Sequence, residues 1–243
     1  MQDTFAITRL LNDLFGGPVS ALQHAIGIQT TPATAINNPF ALELLVALGM
    51  IVFFIIVRLT LSVENPGPAQ QVAEMIHEAI GSQSEQIIGH GYERYQSYVT
   101  CIFLFVLLNN LYGAIPGIPT PTARPVIPLG LAVLTFLYYN YHGIRTQGPV
   151  SYVKHLAGPV WWMAWLIFPI EIVSHLARVL SLTIRLYANM FASDLVILVF
   201  FSLIPVAIPA IFIGLHVAVS VIQAFVFMLL TMIYLSLATA HDH

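Results

Sequence analysis

Residues 195–241 read LVILVFFSLIPVAIPAIFIGLHVAVSVIQAFVFMLLTMIYLSLATAH, 47 residues without one Asp, Glu, Lys or Arg. A helix that crosses a bilayer needs about 20 mostly apolar residues. This stretch exceeds one crossing, so it reads as the end of one helix, a turn at Pro205 and a complete second helix. The preceding residues 161–194 are also apolar but carry Glu171, Arg178, Arg185 and Asp194. The pattern predicts two long helices, about 160–201 and 207–239, folded back as an antiparallel hairpin. At about 1.5 Å per residue the first would be about 60 Å long, twice a bilayer core, and is expected to lie strongly tilted.

Working back toward the N-terminus, the charges mark three more apolar runs. Phe40 to Val57 ends at Arg58, with Glu43 near its start. Arg94 and Arg124 enclose 29 uncharged residues, and Arg124 and Arg145 enclose 20. In the first of these runs Pro116-Gly117-Ile118-Pro119-Thr120-Pro121 reads as a rigid loop, so the helix stops near residue 115. The expected fold is an all-α integral membrane protein. Its five long membrane helices would cover about 40–60, 96–115, 126–143, 160–201 and 207–239.

Composition agrees with that class. Of 243 residues, 58% are apolar and 8% charged, and the mean hydropathy is +0.85. A water-soluble fold needs a charged surface that 8 Lys+Arg and 11 Asp+Glu cannot supply at this size. A soluble enzyme and a disordered chain are thereby excluded. A net charge of −3 offers no basic field to nucleic acid. The single cysteine, Cys101, excludes an internal disulfide or a multi-cysteine metal site. The nine histidines contain no pair spaced i,i+3 or i,i+4, so no metal site and no cofactor are expected.

Two segments outside these runs read as surface-lying amphipathic helices. In the first, Ile7, Leu10, Leu11, Leu14 and Phe15 recur at helical spacing, while Asp3, Arg9 and Asp13 interrupt any secretory-signal pattern. In the second, about residues 70–92, Val72, Met75, Ile76, Ala79 and Ile80 form one apolar stripe after Pro66-Gly67-Pro68. The chain is expected to be a single membrane domain over 1–243, with 1–35 as an external N-terminal segment and 36–243 as the helical membrane region. Five crossings put the termini on opposite sides. Arg58, Arg94, Arg145 and Lys154 on one side against Arg9 and Arg124 on the other place the N-terminus outside and the C-terminus in the cytoplasm.

The polar residues of the last two helices carry the functional reading. Glu171, Arg178 and Arg185 recur every seven residues and share a face, with Ser174, Ser181 and Asn189 close to that stripe. Asp194, nine residues past Arg185, points the opposite way, which leaves Arg185 without a carboxylate partner on its own helix. On the last helix His216 and Gln223 share a face. One antiparallel register sets Arg185 at the depth of Gln223 and Asp194 at the depth of His216, with the turn at Pro205. Charged residues at such depth face a cavity or a partner.

Three segments then identify a resemblance. Residues 181–192, SLTIRLYANMFA, resemble the signature of subunit a of the F-type ATP synthase. Residues 223–235, QAFVFMLLTMIYL, resemble the last helix of that family, and NLYGAIPG at 110–117 with TPTA at 120–123 resembles its second-span exit. The likeness covers about residues 40–240. It implies a stationary, non-catalytic, proton-translocating subunit beside a rotating ring of c subunits, each with a buried carboxylate. Other implied partners are b-type peripheral stalk subunits, the rest of the ATP synthase complex and the lipid bilayer, in a bacterial inner membrane.

The resemblance also implies roles by position. Arg185 would face the ring and separate two aqueous half-channels, and Gln223 would lie opposite and orient it. Asp194 and His216 would be the relay pair of the outer half-channel, with Asn189 lining the same route and Asn110 a polar contact on it. Glu171 and Ser174 would belong to the cytoplasmic half-channel, with Arg178 and His175 at its mouth. Some members carry an Asp where Gly113 stands here.

Each of these residues also has a structural reading. Arg185 could pair with a neighbouring helix, Asp194 with His216 could be a packing hydrogen bond, and Gln223 and Asn189 could be helix–helix glue. Polar groups such as Glu171, Ser174 and Asn110 are common at helix ends near an interface, and the Tyr and Trp residues near 138–141 and 161–165 read as interface belts. The rival function is an autonomous secondary transporter with an intramembrane Arg site. Such folds carry paired repeats with broken helices, and no matched pair of Gly/Pro-interrupted spans is found in the sequence.

Overall fold

The computed structural model describes residues 5–25, 27, 29–62, 65–115, 118–148, 164–203 and 207–239. Its helices are α1 (Ala6–Ala25), α2 (Asn38–Leu59), α3 (Pro68–Ile88), α4 (Glu93–Leu111), α5 (Val126–Gln147), α6 (Ala164–Leu203) and α7 (Ala207–Thr239). Short 3₁₀ turns at Tyr112–Ala114 and Pro121–Ala123 separate α4 from α5. The described residues contain no strand. They form two compact units, Met1–Leu59 and Thr60–His243.

The first unit is built on a close approach. α1 turns a small, mostly polar face inward: Thr8, Asn12, Gly16 and Ser20 are buried with Leu11. The Asn12 amide brackets one residue, donating from Nδ2 to the Ile36 carbonyl at 3.0 Å and accepting the Ile36 N–H at 2.9 Å. One turn on, a Cβ at Gly16 would overlap the Pro32 carbonyl, so only glycine lets the helix lie this near the backbone of the following loop. Leu11, Ile36 and Ala41 close the core. Leu10, Leu14, Phe15 and Leu22 are left exposed, an apolar face of the kind that rests on a bilayer surface.

The second unit is organised around α7. This helix packs on α3, α4, α5 and α6. At one end of the unit Met228, Met232, Leu235 and Ala238 of α7 meet Ile80, Tyr95, Val99 and Tyr139. Beside them Ala224 and Phe227 meet Ile102, Val106, Ala132, Leu182, Leu186 and Met190. Such fully enclosed side chains hold a bundle whose outer faces are apolar too, because the hydrophobic effect cannot drive helices together in lipid and close packing must.

Most helix bounds follow the charge map, with three differences. Among the described residues four helices are long and apolar enough to cross a membrane: Asn38–Leu59, Glu93–Ala114, Trp165–Ser202 and Ala210–Thr239. The expected fifth, α5, forms as a helix of 22 residues but is not among the four, because Tyr138, Tyr139, Asn140, Tyr141 and His142 make its second half polar. On α3 the inward face is rotated from the predicted stripe. Ile76 and Ile80 pack inward, but Val72 and Met75 are exposed while Gln70, Gly81 and Ser84 are buried. The Gln96 amide reaches across to the His77 carbonyl at 2.7 Å, and Gly81 leaves room for it. The interface-belt reading fails for Tyr139, which is 1% exposed and sits in the core. Pro205, Trp161, Trp162 and Lys154 lie outside the described residues.

Substituting Gly16→Ala tests the first unit. Backbone cannot move aside as a side chain can, so the expected cost is about 1–3 kcal/mol of overpacking. Hydrogen exchange at the Ile36 amide, now held by Asn12, should accelerate; unchanged protection would show that the close approach is not required.

Candidate functional site

The two long helices α6 and α7 run antiparallel and are stitched by polar contacts. The Asn189 Nδ2 donates to Gln223 Oε1 at 2.8 Å. One residue further along α6, and one turn back along α7, the Ser220 hydroxyl meets the Met190 sulfur at 3.9 Å. Ser193 Oγ and His216 Nδ1 then lie 2.7 Å apart, and the Asp194 carboxylate is 3.8 Å from the same nitrogen. The expected depth match of Asp194 with His216 is therefore present. Gln223 differs from expectation: its amide oxygen is engaged by Asn189, not by Arg185, and its buried Nε2 has no hydrogen-bond partner among the described residues.

A polar cluster surrounds His216, whose side chain is fully buried. Its Nε2 lies 3.0 Å from the Asn110 carbonyl in the last turn of α4. The Asn110 side chain accepts from the Thr122 hydroxyl at 2.6 Å and reaches the Ser220 carbonyl at 3.4 Å. The Thr120 hydroxyl donates to Asp194 Oδ1 at 2.7 Å. Thus the expected pair Asp194 and His216 is joined by Asn110. Thr120, Ser193 and Thr122 join them. Thr120 and Thr122 stood in the motif after Asn110, but no local spacing shows that they fold back onto α6 and α7.

Arg185 lies about 14 Å along α6 from Asp194. It is half-buried, and its nearest polar contact is the Ser181 hydroxyl at 3.5 Å. Among the described residues no carboxylate lies within ion-pair distance of its guanidinium. Around it α6 presents Leu180, Ile184, Phe191 and Leu195, all exposed. A cation on such an apolar helix, with no carboxylate at hand, draws a negative charge to itself.

About 21 Å from Arg185 in the other direction, Glu171 anchors a third cluster. Its Oε1 is 3.6 Å from His175 Nε2 and 3.8 Å from Arg178 Nη2. Buried Tyr139 places its hydroxyl 2.8 Å from His175 Nδ1, and Arg178 lies over the Tyr234 ring at 5.4 Å. Ser174 is half-buried one turn from both Glu171 and Arg178. His175 and Arg178, read as residues at a channel mouth, are here tied directly to Glu171. Among the described residues no group of three His, Cys, Asp or Glu could hold a metal ion.

Three polar clusters are thus strung along α6, with one uncompensated cation between two carboxylates. A family model described as ATP synthase A chain matches residues 40–236. The chain is 48% identical to the ATP synthase subunit a of Koribacter versatilis over 97% of both proteins. It is 43% identical to that of Solibacter usitatus, over 96% of this chain and 100% of the relative. It is also 43% identical to that of Sulfurimonas denitrificans, over 72% of this chain and 79% of the relative. The chain belongs to the ATP synthase subunit a family, the ion-translocating stationary component in the membrane sector of that rotary enzyme.

Proposed function

We propose that the chain carries protons along two half-channels that meet at Arg185, and that it performs no chemistry on ATP itself. The observation that supports this is the half-buried Arg185 with no carboxylate at hand, beside an exposed apolar face of α6. Such a site is completed from outside: a ring of c subunits, each with one carboxylate, would pass along that face. Arg stays charged at any working pH, so it favours the ionised form of the arriving carboxylate and releases its proton. The same fixed charge stops protons from crossing between the half-channels. Each proton falling through 100 mV releases about 2.3 kcal/mol, and rotation is then the low-barrier route that captures it.

In this reading Asp194 and His216 hand protons along the outer half-channel, where a carboxylate and an imidazole exchange readily near neutral pH. Asn110 and Asn189 line that route, and Gln223 holds Asn189 in place. Glu171 and Ser174 serve the cytoplasmic half-channel, with His175 and Arg178 setting the surroundings of Glu171. The two units act as one membrane domain in a bacterial inner membrane, with α5 as a fifth crossing, the N-terminus outside and the C-terminus cytoplasmic. Peripheral stalk subunits of b type hold it still. An autonomous transporter is not favoured, since family membership supplies the missing half of the site.

In membrane vesicles bearing the whole complex, Arg185→Ala is expected to lower ATP-driven acidification about a hundredfold or more. Passive proton conduction, measured after the soluble sector is stripped, should survive. Pumping at near-normal rates would overturn the reading. Arg185→Lys should rescue poorly, because a buried lysine sheds its proton where arginine does not. Asp194→Asn should cut pumping by about a hundredfold while the complex still assembles, as expected when one relay group is removed. Unimpaired pumping would assign Asp194 a packing role.

A further inference from the structure

We propose that Ser193 and Gly113 are positioning residues that lock His216 in one tautomer, with Nδ1 as its single proton-exchanging atom. This rests on the reading that Asp194 and His216 carry protons.

The lock follows from what each nitrogen faces. The Asn110 carbonyl, 3.0 Å from Nε2, can only accept, so Nε2 carries a proton and donates it. In the neutral ring Nδ1 is then the acceptor, and the Ser193 hydroxyl, 2.7 Å away, donates to it. The carbonyl cannot take up a proton, so none leaves by Nε2. When a protonated Asp194 closes its 3.8 Å gap and gives its proton to Nδ1, the products are a carboxylate and an imidazolium whose Nδ1–H donates to Ser193 Oγ. The proton must depart from that same nitrogen. At 3.8 Å the Asp194 oxygen stands beyond hydrogen-bond reach, so Ser193 is what keeps Nδ1 aimed between transfers. The Thr120 hydroxyl holds the carboxylate from the other side.

Gly113 seats the ring. Its backbone is not in the left-handed region, so conformational freedom is not the reason for glycine here. Space is. A Cβ at this position would lie 2.5 Å from His216 Nε2 and 2.6 Å from Cε1, and would overlap the Thr120 hydroxyl. Even alanine must push the ring off the Asn110 carbonyl or part Thr120 from Asp194.

The test uses the complete complex in inverted membrane vesicles, with ATP-driven acidification followed against pH. Asp194 is the charged group facing His216, so a shift of the profile reports the pair. Ser193→Ala is expected to lower pumping roughly tenfold to a hundredfold and to displace the pH profile. Ser193→Thr, which keeps the hydroxyl, should restore both. Gly113→Ala should give the same displacement, and the Ser193→Ala/Gly113→Ala double should be no worse than the poorer single, because both act through one ring. Unchanged profiles in Ser193→Ala, failure of Ser193→Thr to restore, or additive losses would overturn the lock. Should Gly113→Ala fail to assemble, the two Ser193 variants decide alone. Asp194→Asn run alongside separates the two failures. If it pumps normally the relay reading falls, and if it is inactive while the Ser193 variants are silent only the lock falls.

Discussion

Everything in the second unit depends on the pairing of two long helices, α6 and α7. In a bilayer the apolar faces of α6 and α7 gain little by leaving lipid, so polar and small-residue contacts must set their register. The Asn189–Gln223 bond and the Ser193–His216 bond do this at successive depths. Shifting either helix by one residue would break both and leave buried donors and acceptors unpaired. The same contacts therefore hold the two helices in register and place the titratable groups.

Within that frame the distribution of charge is uneven. Glu171 has Arg178 and His175 beside it, and Asp194 accepts from the Thr120 hydroxyl. Arg185 between them has a distant hydroxyl at most. Two satisfied carboxylates and one unsatisfied cation make a chain of sites that is complete at its ends and open in the middle. That arrangement suits the role proposed above, in which the partner that closes the middle site would arrive, react and move on.

Two glycines show how little the backbone conformation has to do with such choices. Neither Gly16 nor Gly113 has a positive φ. Gly16 admits a loop carbonyl against α1, and Gly113 admits an imidazole against the end of α4. In both cases the absent side chain is replaced by a neighbouring group that makes a hydrogen-bonded structure possible nearby.

The amino-acid sequence by itself determined the class, the helices and their approximate ends. Charge is too costly in lipid to be scattered, so gaps between charges measure crossings, and α6 and α7 fall close to the expected bounds. It also determined that Asp194 and His216 share a depth, since helical rise converts residue number into distance. Only the tertiary structure decided which way each helix is rotated and what the loop between α4 and α5 touches. Gln223 meets Asn189 because of a rotation that periodicity does not specify. Thr120 reaches Asp194 across 74 residues of chain, and Asn110 reaches His216 across 106. Tyr139 sits in the core, where its hydroxyl meets His175. Local spacing carries no information about such contacts, which arise only when separate helices are packed to exclude lipid from between them.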